Sequence, residues 1–69
     1  MSFYDYERSK MITGHSHPFY ALIMAAARQA DTDNMERLRG AFPNTIAELE
    51  RRYHAPGGLL PSDETAIEV

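Results

Sequence analysis

The chain has 69 residues, no cysteine and a net charge of −3 at pH 7. This length allows one domain at most, and so short a domain buries only about 60% of the surface that its unfolded chain exposes. Because disulfides and thiolate-bound metals are excluded, self-association or a partner protein is the expected supplement to a small core.

Two helices are predicted in the first 30 residues. Ser2 suits an N-cap and Asp5 suits the first turn of a helix that runs to about Lys10, since negative charge is favourable there. Residues 13–17 break this helix. Pro18 then suits the first position of a second helix that ends at about Ala30, because its missing N–H needs no partner there.

The second helix is the most apolar segment of the chain. One face carries apolar residues at helical spacing: Phe19, Leu22, Ile23, Ala26 and Ala30. The opposite side is also apolar, with Tyr20, Met24 and Ala27. A helix that is apolar all round is buried on most sides. We therefore expect it to be either the central helix of a bundle or half of an oligomer interface.

Residues 31–58 carry the clearest helix signals. Asp33, followed three residues later by Glu36, predicts a capping box for a third helix that ends at about Ala41. Pro43 starts a fourth helix that ends at about His54, before the Pro-Gly-Gly stop at residues 56–58. The expected apolar stripes are Met35, Leu38 and Phe42 on the third helix, and Ile46, Leu49 and Tyr53 on the fourth.

The predicted fold is all-α, a small bundle of three to four short helices. A single helical domain is expected over residues 1–58. Residues 59–69 form a short acidic tail that we expect to be extended or frayed, with Leu59 and Leu60 as candidate anchors on the domain.

Neither a metal site nor a catalytic site is predicted. His15 and His17 together with His54 could bind a metal, but a structural site needs four ligands and the sequence indicates no others. Serine, histidine and aspartate residues are present, but no nucleophile motif such as G-x-S-x-G accompanies them. We therefore expect no enzyme activity and no cofactor.

Four arginines flank the corner at residues 42–43: Arg37, Arg39, Arg51 and Arg52. The spacing of Gly40, Ile46 and Leu49 resembles the second half of a helix-turn-helix. In that interpretation the residues facing DNA would be Asn44, Thr45, Glu48, Arg51 and Arg52. However, the positions of Glu36 and Arg39 depart from the pattern, and acidic side chains on the fourth helix would repel phosphates. DNA binding is therefore the alternative interpretation.

Surplus apolar surface favours a protein partner instead. The aromatic N-terminal segment and the two-sided second helix offer more apolar area than so short a chain easily hides, and exposed apolar patches mark association sites. Tyrosine, methionine and arginine are enriched at interfaces. The candidate partner-binding residues are Tyr4, Tyr20, Met24, Arg37, Arg39, Arg51 and Arg52. The competing interpretation is that the aromatic and methionine side chains simply fill the core.

The segments FYALIMAAARQADTDNMERLRGAFP and ELERRYHAPGG, within residues 19–58, resemble small proteins encoded by bacteriophages and prophages. The resemblance implies a phage or mobile-element origin. Small phage accessory proteins commonly bind a host or defence protein, including as anti-CRISPR inhibitors, or regulate transcription. The resemblance assigns a role to no particular residue.

We therefore expect a non-enzymatic protein that acts in the cytoplasm of a bacterial host cell and inhibits a host or defence protein by binding it. One alternative is a helix-turn-helix-like transcriptional regulator that binds nucleic acid. The other is a self-assembling structural phage protein, which would form homo-oligomers. No run approaches the roughly 18 apolar residues of a membrane span, and the acidic start of the chain predicts no signal peptide.

Overall fold

The structure, a computed structural model, describes residues 1–63, which form helices and turns without a strand. The elements in chain order are α1 (Phe3–Thr13), α2 (Phe19–Gln29), α3 (Thr32–Ala41), α4 (Pro43–Tyr53) and a 3₁₀ turn (Pro56–Gly58). For this part of the chain, the prediction of an all-α protein is confirmed.

Helix α1 is longer than predicted and stands apart from the other helices. Its predicted cap is confirmed, because the Ser2 hydroxyl accepts a hydrogen bond from the Asp5 N–H at 3.2 Å. The helix continues past Lys10, and the hydroxyl of Thr13 donates to the Ser9 carbonyl at 2.8 Å in its last turn. No Cα atom of α1 comes within 8 Å of a Cα atom in α2, α3 or α4.

The connection from α1 to α2 contains one strained residue, and its last residue takes a different position from the one predicted. Ser16 has φ of 55°, a left-handed conformation that residues other than glycine, asparagine and aspartate rarely adopt. Pro18 is the cap residue before α2, with an extended backbone at φ −61° and ψ 150°, rather than the first helical residue as predicted. The fixed φ of proline fits both positions, so its identity alone could not decide between them.

Helix α3 begins at Thr32, two residues before the predicted start at about Asn34, because a different aspartate caps it. The Asp31 carboxylate accepts a hydrogen bond from the Asn34 N–H at 2.8 Å. The predicted capping box at Asp33 and Glu36 is therefore wrong. Asp33 lies instead in the first turn, where its charge is still favourable at the helix N-terminus.

Phe42 alone connects α3 to α4. Its backbone, at φ −132° and ψ 62°, ends one helix and starts the next. The Phe42 N–H donates to the Leu38 carbonyl at 2.7 Å, and the Phe42 carbonyl accepts from the Ile46 N–H at 3.1 Å. Pro43 is the first residue of α4, as predicted.

The core lies where α4 packs against α2 and α3. Ile46 of α4 is fully buried and Ala27 of α2 is 3% exposed; within residues 1–63 no other apolar side chain is buried to this extent. Leu49 is half-buried on the same helix. Tyr53 is 78% exposed, so its predicted place in a buried stripe is wrong. Met35, Leu38 and Phe42 are half-buried.

The expectation that α2 is buried on most sides is also wrong. Ala27 is its single buried residue, whereas Leu22, Ile23 and Met24 are half-buried and Phe19 is exposed. The physical reason is the position of α1, which leaves one side of α2 uncovered. Helix α4, and not α2, is the element that contacts all of the other packed elements.

The C-terminal segment folds back on α4 as far as it is described. Gly57 and Gly58 adopt positive φ values of 62° and 73° in the 3₁₀ turn. Beyond it, Leu60 is half-buried, and the Asp63 carboxylate binds the Arg52 guanidinium. Residues 59–63 are therefore anchored rather than frayed. The prediction for residues 64–69 lies outside the described residues.

Candidate protein-interaction surface

Large apolar side chains lie mostly on the surface of this protein. Ten of them in residues 1–63 are at least 49% exposed, five times the number of buried apolar residues. They are Met1, Phe3, Tyr4, Tyr6, Met11, Ile12, Phe19, Tyr20, Tyr53 and Leu59. Most belong to α1 or to the start of α2, so the apolar surface is concentrated in the first 20 residues.

The aromatic rings of α1 contact only neighbours on the same helix among the contacts in residues 1–63. Tyr4 is 69% exposed and lies 5.9 Å beneath the Arg8 guanidinium. The Lys10 ammonium lies 5.2 Å from the Tyr6 ring, whose centroid is 6.2 Å from that of Phe3. Such cation–π contacts stabilise exposed sites by only about 0.5–1 kcal/mol. The rings thus stay available to another molecule.

Tyr20 and Met24 line a groove between α2 and α4. The other lining residues are Asn44, Thr45 and Glu48, and the groove has a volume of about 290 Å³. We call it the α2–α4 groove. Tyr20 is 58% exposed and stands edge-on to Phe19, with ring centroids 5.3 Å apart. Phe19 in turn packs edge-on against Phe42, with ring centroids 5.9 Å apart.

The sequence predicted Tyr20 and Met24 as partner-binding residues but did not show that Asn44 and Thr45 lie beside them. Those two residues follow Pro43 at the start of α4, where they were considered only as DNA-facing side chains. The missing information was tertiary, since nothing local in the sequence shows that the first turn of α4 lies next to α2. The groove therefore combines an apolar rim with side-chain hydrogen-bonding groups.

Arg39 forms an ion pair across the α3–α4 corner. Its guanidinium donates to both carboxylate oxygens of Glu50, at 2.6 and 3.5 Å. Hydrogen bonding to Arg39 lowers the pKa of Glu50, and the same contact raises the pKa of Arg39. The positive charge of Arg39 is therefore already balanced by the carboxylate of Glu50 in the same chain.

Arg52 is the most heavily coordinated arginine in the described residues. Its guanidinium binds the Glu48 carboxylate at 3.0 Å, the Gly58 carbonyl at 2.8 Å and both oxygens of Asp63. These bonds tie the C-terminal segment to α4. The binding of a partner by Arg39 and Arg52 stays a prediction, and it would require that these internal contacts open.

Arg37 and Arg51 are less constrained. Arg37 donates to the Asn34 side chain at 3.0 Å, and Arg51 has no ion pair within residues 1–63. Both are exposed. Of the four candidate arginines, these two can reach a partner without breaking an ion pair in the described part of the chain.

The histidines do not come together as a metal site. His15 and His17 have ring centroids 6.2 Å apart, but His54 lies at the end of α4 against Tyr53. Residues 1–63 contain no group of three histidine, cysteine, aspartate or glutamate side chains that could hold a metal ion.

A second groove was not indicated by the sequence. It lies between the end of α2 and helices α3 and α4, with a volume of about 410 Å³, and is lined by Arg28, Met35, Leu49, Glu50, Tyr53 and His54. One of its lining residues is Tyr53, which is 78% exposed. The groove supplies a second exposed tyrosine, on a different face from Tyr20.

Comparison with protein-family models, curated proteins and solved structures gives no significant match. Across the helices of residues 1–63, none combines the length and apolar character that crossing a bilayer would require.

Proposed function

We propose that this chain is a non-enzymatic protein–protein interaction module, an accessory protein of a phage or mobile element. In this proposal it acts in the bacterial host cell, where it binds and inhibits a host or defence protein, for example a CRISPR–Cas component. The supporting observation is the imbalance described above, in which two apolar residues are buried and ten large ones are exposed in residues 1–63. Exposed apolar surface on this scale is typical of association sites.

The α2–α4 groove is the proposed docking site for the foreign partner. Tyr20 and Met24 provide apolar contact area, while Asn44 and Thr45 provide directed hydrogen bonds at the edge. An apolar centre surrounded by polar groups is the usual composition of a specific interface. Tyrosine is among the residues that contribute most to binding at such sites.

Binding to an identified partner tests this proposal. The tagged protein is used to capture partners from phage-sensitive bacteria, and any candidate is then purified and titrated against the chain. We expect Tyr20→Ala to weaken the reconstituted complex by about 30-fold, the effect of losing a central interface tyrosine. Tyr53→Ala, which removes an exposed tyrosine on the other groove, should leave the affinity unchanged.

A functional readout accompanies the binding experiment. Expression of the chain in cells with an active CRISPR–Cas system should restore plating of a targeted phage, and Tyr20→Ala should reduce that effect while Tyr53→Ala does not. Circular dichroism checks that both variants keep their helices. If no candidate rebinds as a purified protein, or if the two variants bind alike, the proposed site is wrong.

A further inference from the structure

One groove of the molecule lies between two helices that do not pack against each other. It separates α1 from α2 and has a volume of about 310 Å³. Packed helices have axes about 8–10 Å apart, and their nearest Cα atoms are closer still. No Cα atom of α1 lies within 8 Å of one in α2. We call this space the α1–α2 groove. Its lining residues are Ser9, Ile12 and Thr13 of α1, and Leu22, Ala25, Ala26 and Gln29 of α2.

The lining residues form two stripes that face each other. Those of α1 recur at i, i+3 and i+4, and those of α2 recur at i, i+3, i+4 and i+7, which are the spacings of one helix face. Ile12 is 49% exposed, Leu22 is half-buried, and the two alanines are exposed. Because alanine has no side chain beyond Cβ, another helix can approach this stripe closely. Each helix therefore directs apolar surface that water still reaches at the other.

The polar side chains of the groove do not oppose a closer approach. The Ser9 hydroxyl donates to the Tyr6 carbonyl at 2.6 Å, and the Thr13 hydroxyl donates to the Ser9 carbonyl at 2.8 Å. Burying a hydroxyl is costly when its donor is left unpaired. Both of these donors are already paired within α1. Gln29 is the last residue of α2 and is exposed, so its amide can stay in water at the end of the stripe.

The connection between the two helices contains a residue that can act as a hinge. The N–H groups of His15 and Ser16 donate to the last turn of α1, at 3.1 and 3.2 Å, and not to α2. Ser16 has φ of 55° and is exposed. Such strain persists only where surrounding contacts impose it, and here these contacts come from α1 alone. His17 precedes Pro18 and is therefore restricted to extended conformations. The freedom to turn α1 thus lies mainly at Ser16.

We infer that α1 is a hinged arm that turns at Ser16 and closes over α2, so that its own side chains fill the α1–α2 groove. In the closed state Ile12 lies against the apolar stripe of α2, and Ser16 leaves the left-handed region. The open and closed states differ in whether another molecule can reach this stripe. The α2–α4 groove lies about half a turn away around α2 and stays open. The inference therefore does not depend on the proposed foreign partner.

Disulfide trapping in the full chain measures the closure. The chain has no cysteine, so an introduced pair of thiols is the only pair present. A disulfide requires Cα atoms within about 7 Å of each other, a separation that no pair across α1 and α2 has in the structure. Ser9→Cys with Ala26→Cys should therefore oxidise only through closure. Ser9→Cys with Ala25→Cys tests the neighbouring register in the same way. Met11→Cys with Ala26→Cys is the matched control, because Met11 is nearer the connection but lies on the opposite face of α1.

Oxidation in glutathione buffers, at dilute protein, gives the effective concentration of each thiol pair. We expect at least one Ser9 pair to exceed the Met11 control by about tenfold or more. Ile12→Ala, added to that pair, should lower the value by about tenfold, because closure then buries less apolar surface. Ser16→Gly should lower it by about the same factor, because glycine adopts the open conformation without strain.

Circular dichroism checks that the variants keep their helices. Two Ser9 pairs that oxidise no better than the Met11 control would overturn the closure. An effective concentration that Ile12→Ala leaves unchanged would overturn it as well, since α1 would then meet α2 only by random collision. If Ser16→Gly has no effect, Ser16 is not the hinge. The foreign partner is absent from all of these measurements, so they fail or succeed independently of the proposed function.

Discussion

Two glycines near α4 have opposite backbone requirements. Gly40 lies inside α3, one residue before its end, and a Cβ atom built there meets nothing within 4 Å. Gly58 has φ of 73°, in the left-handed region that side chains other than glycine rarely adopt. The helix-turn-helix interpretation requires Gly40 to lie in the turn between the two helices. The structure places Gly40 inside α3 instead.

The same substitution should therefore have opposite effects at these two positions. Gly40→Ala should raise the free energy of unfolding by about 0.4–1 kcal/mol, because alanine lowers the entropy of the unfolded chain and fits the helix. Gly58→Ala should lower the free energy of unfolding by about 1–2 kcal/mol, because alanine is strained at this positive φ. No steric clash adds to this cost, because the new Cβ would lie an ordinary 3.9 Å from the Arg52 carbonyl oxygen. Urea denaturation measures both, and a destabilised Gly40→Ala would support the turn interpretation.

At the residue scale, the sequence predicted the features that depend on neighbouring residues and missed a feature that it left ambiguous. The Ser2 cap and the first position of α4 at Pro43 were predictable because each depends on a few neighbouring residues. The Glu48–Arg52 pair was predictable for the same reason, as one helical turn separates the two residues. The cap of α3 was missed by two residues, because Asp31 accepts the hydrogen bond that was predicted for Asp33.

At the scale of elements, Arg52 and Asp63 hold the C-terminal segment against α4. Asp63 also accepts a hydrogen bond from the Leu60 N–H at 2.9 Å. The hydrogen bonds from Arg52 and then from Leu60 lower the pKa of Asp63 from its ordinary 3.8 to about 2. Because the pKa is depressed in the folded protein, the carboxylate stabilises this segment fully above pH 3.8 and loses that effect as the pH falls through about 2.

This contact predicts a local change on neutralising Asp63. The Asp63→Asn variant should speed amide hydrogen exchange at Leu60 while the amide of Ile46 in the core stays protected. Carboxyl chemical shifts of the wild type should place the titration of Asp63 near pH 2. The Asp33→Asn variant, in the exposed first turn of α3, is the control and should leave Leu60 unaffected. A titration of Asp63 at its ordinary pKa, with unchanged exchange in the variant, would show that the segment is not held in this way.

The order of the helices in the packed unit was the part that the sequence could not supply. Periodicity identifies an apolar face on a helix, but it does not show which other helix covers that face. Helix α2 is the most apolar and was expected at the centre, yet α4, with its narrower stripe around Ile46, occupies that place. Likewise, the pairs Arg39–Glu50 and Arg52–Asp63 each span 11 residues and follow from the fold rather than from spacing.

For the whole molecule, the distribution of charge bears on the DNA-binding alternative. The net charge is −3, and two of the four arginines near the corner are already paired with carboxylates on the protein. The corner is also a single residue, Phe42, whereas a helix-turn-helix joins its helices through a turn of about three to four residues. The α3–α4 pair thus lacks both the charge and the spacing of that motif.

We therefore expect no binding to duplex DNA in a gel-shift or anisotropy titration at low salt, where phosphate contacts are strongest. Glu50→Gln is the informative variant, because it releases Arg39 and removes one negative charge from α4 without altering the core. If duplex binding depended only on available arginine charge, the Glu50→Gln variant would bind duplex DNA with an affinity that falls steeply as the salt concentration rises. The wild type would not bind. Binding by the wild type that is lost in Arg51→Ala would instead support the helix-turn-helix alternative. It would mean that α4 approaches phosphates despite Glu48 and Glu50.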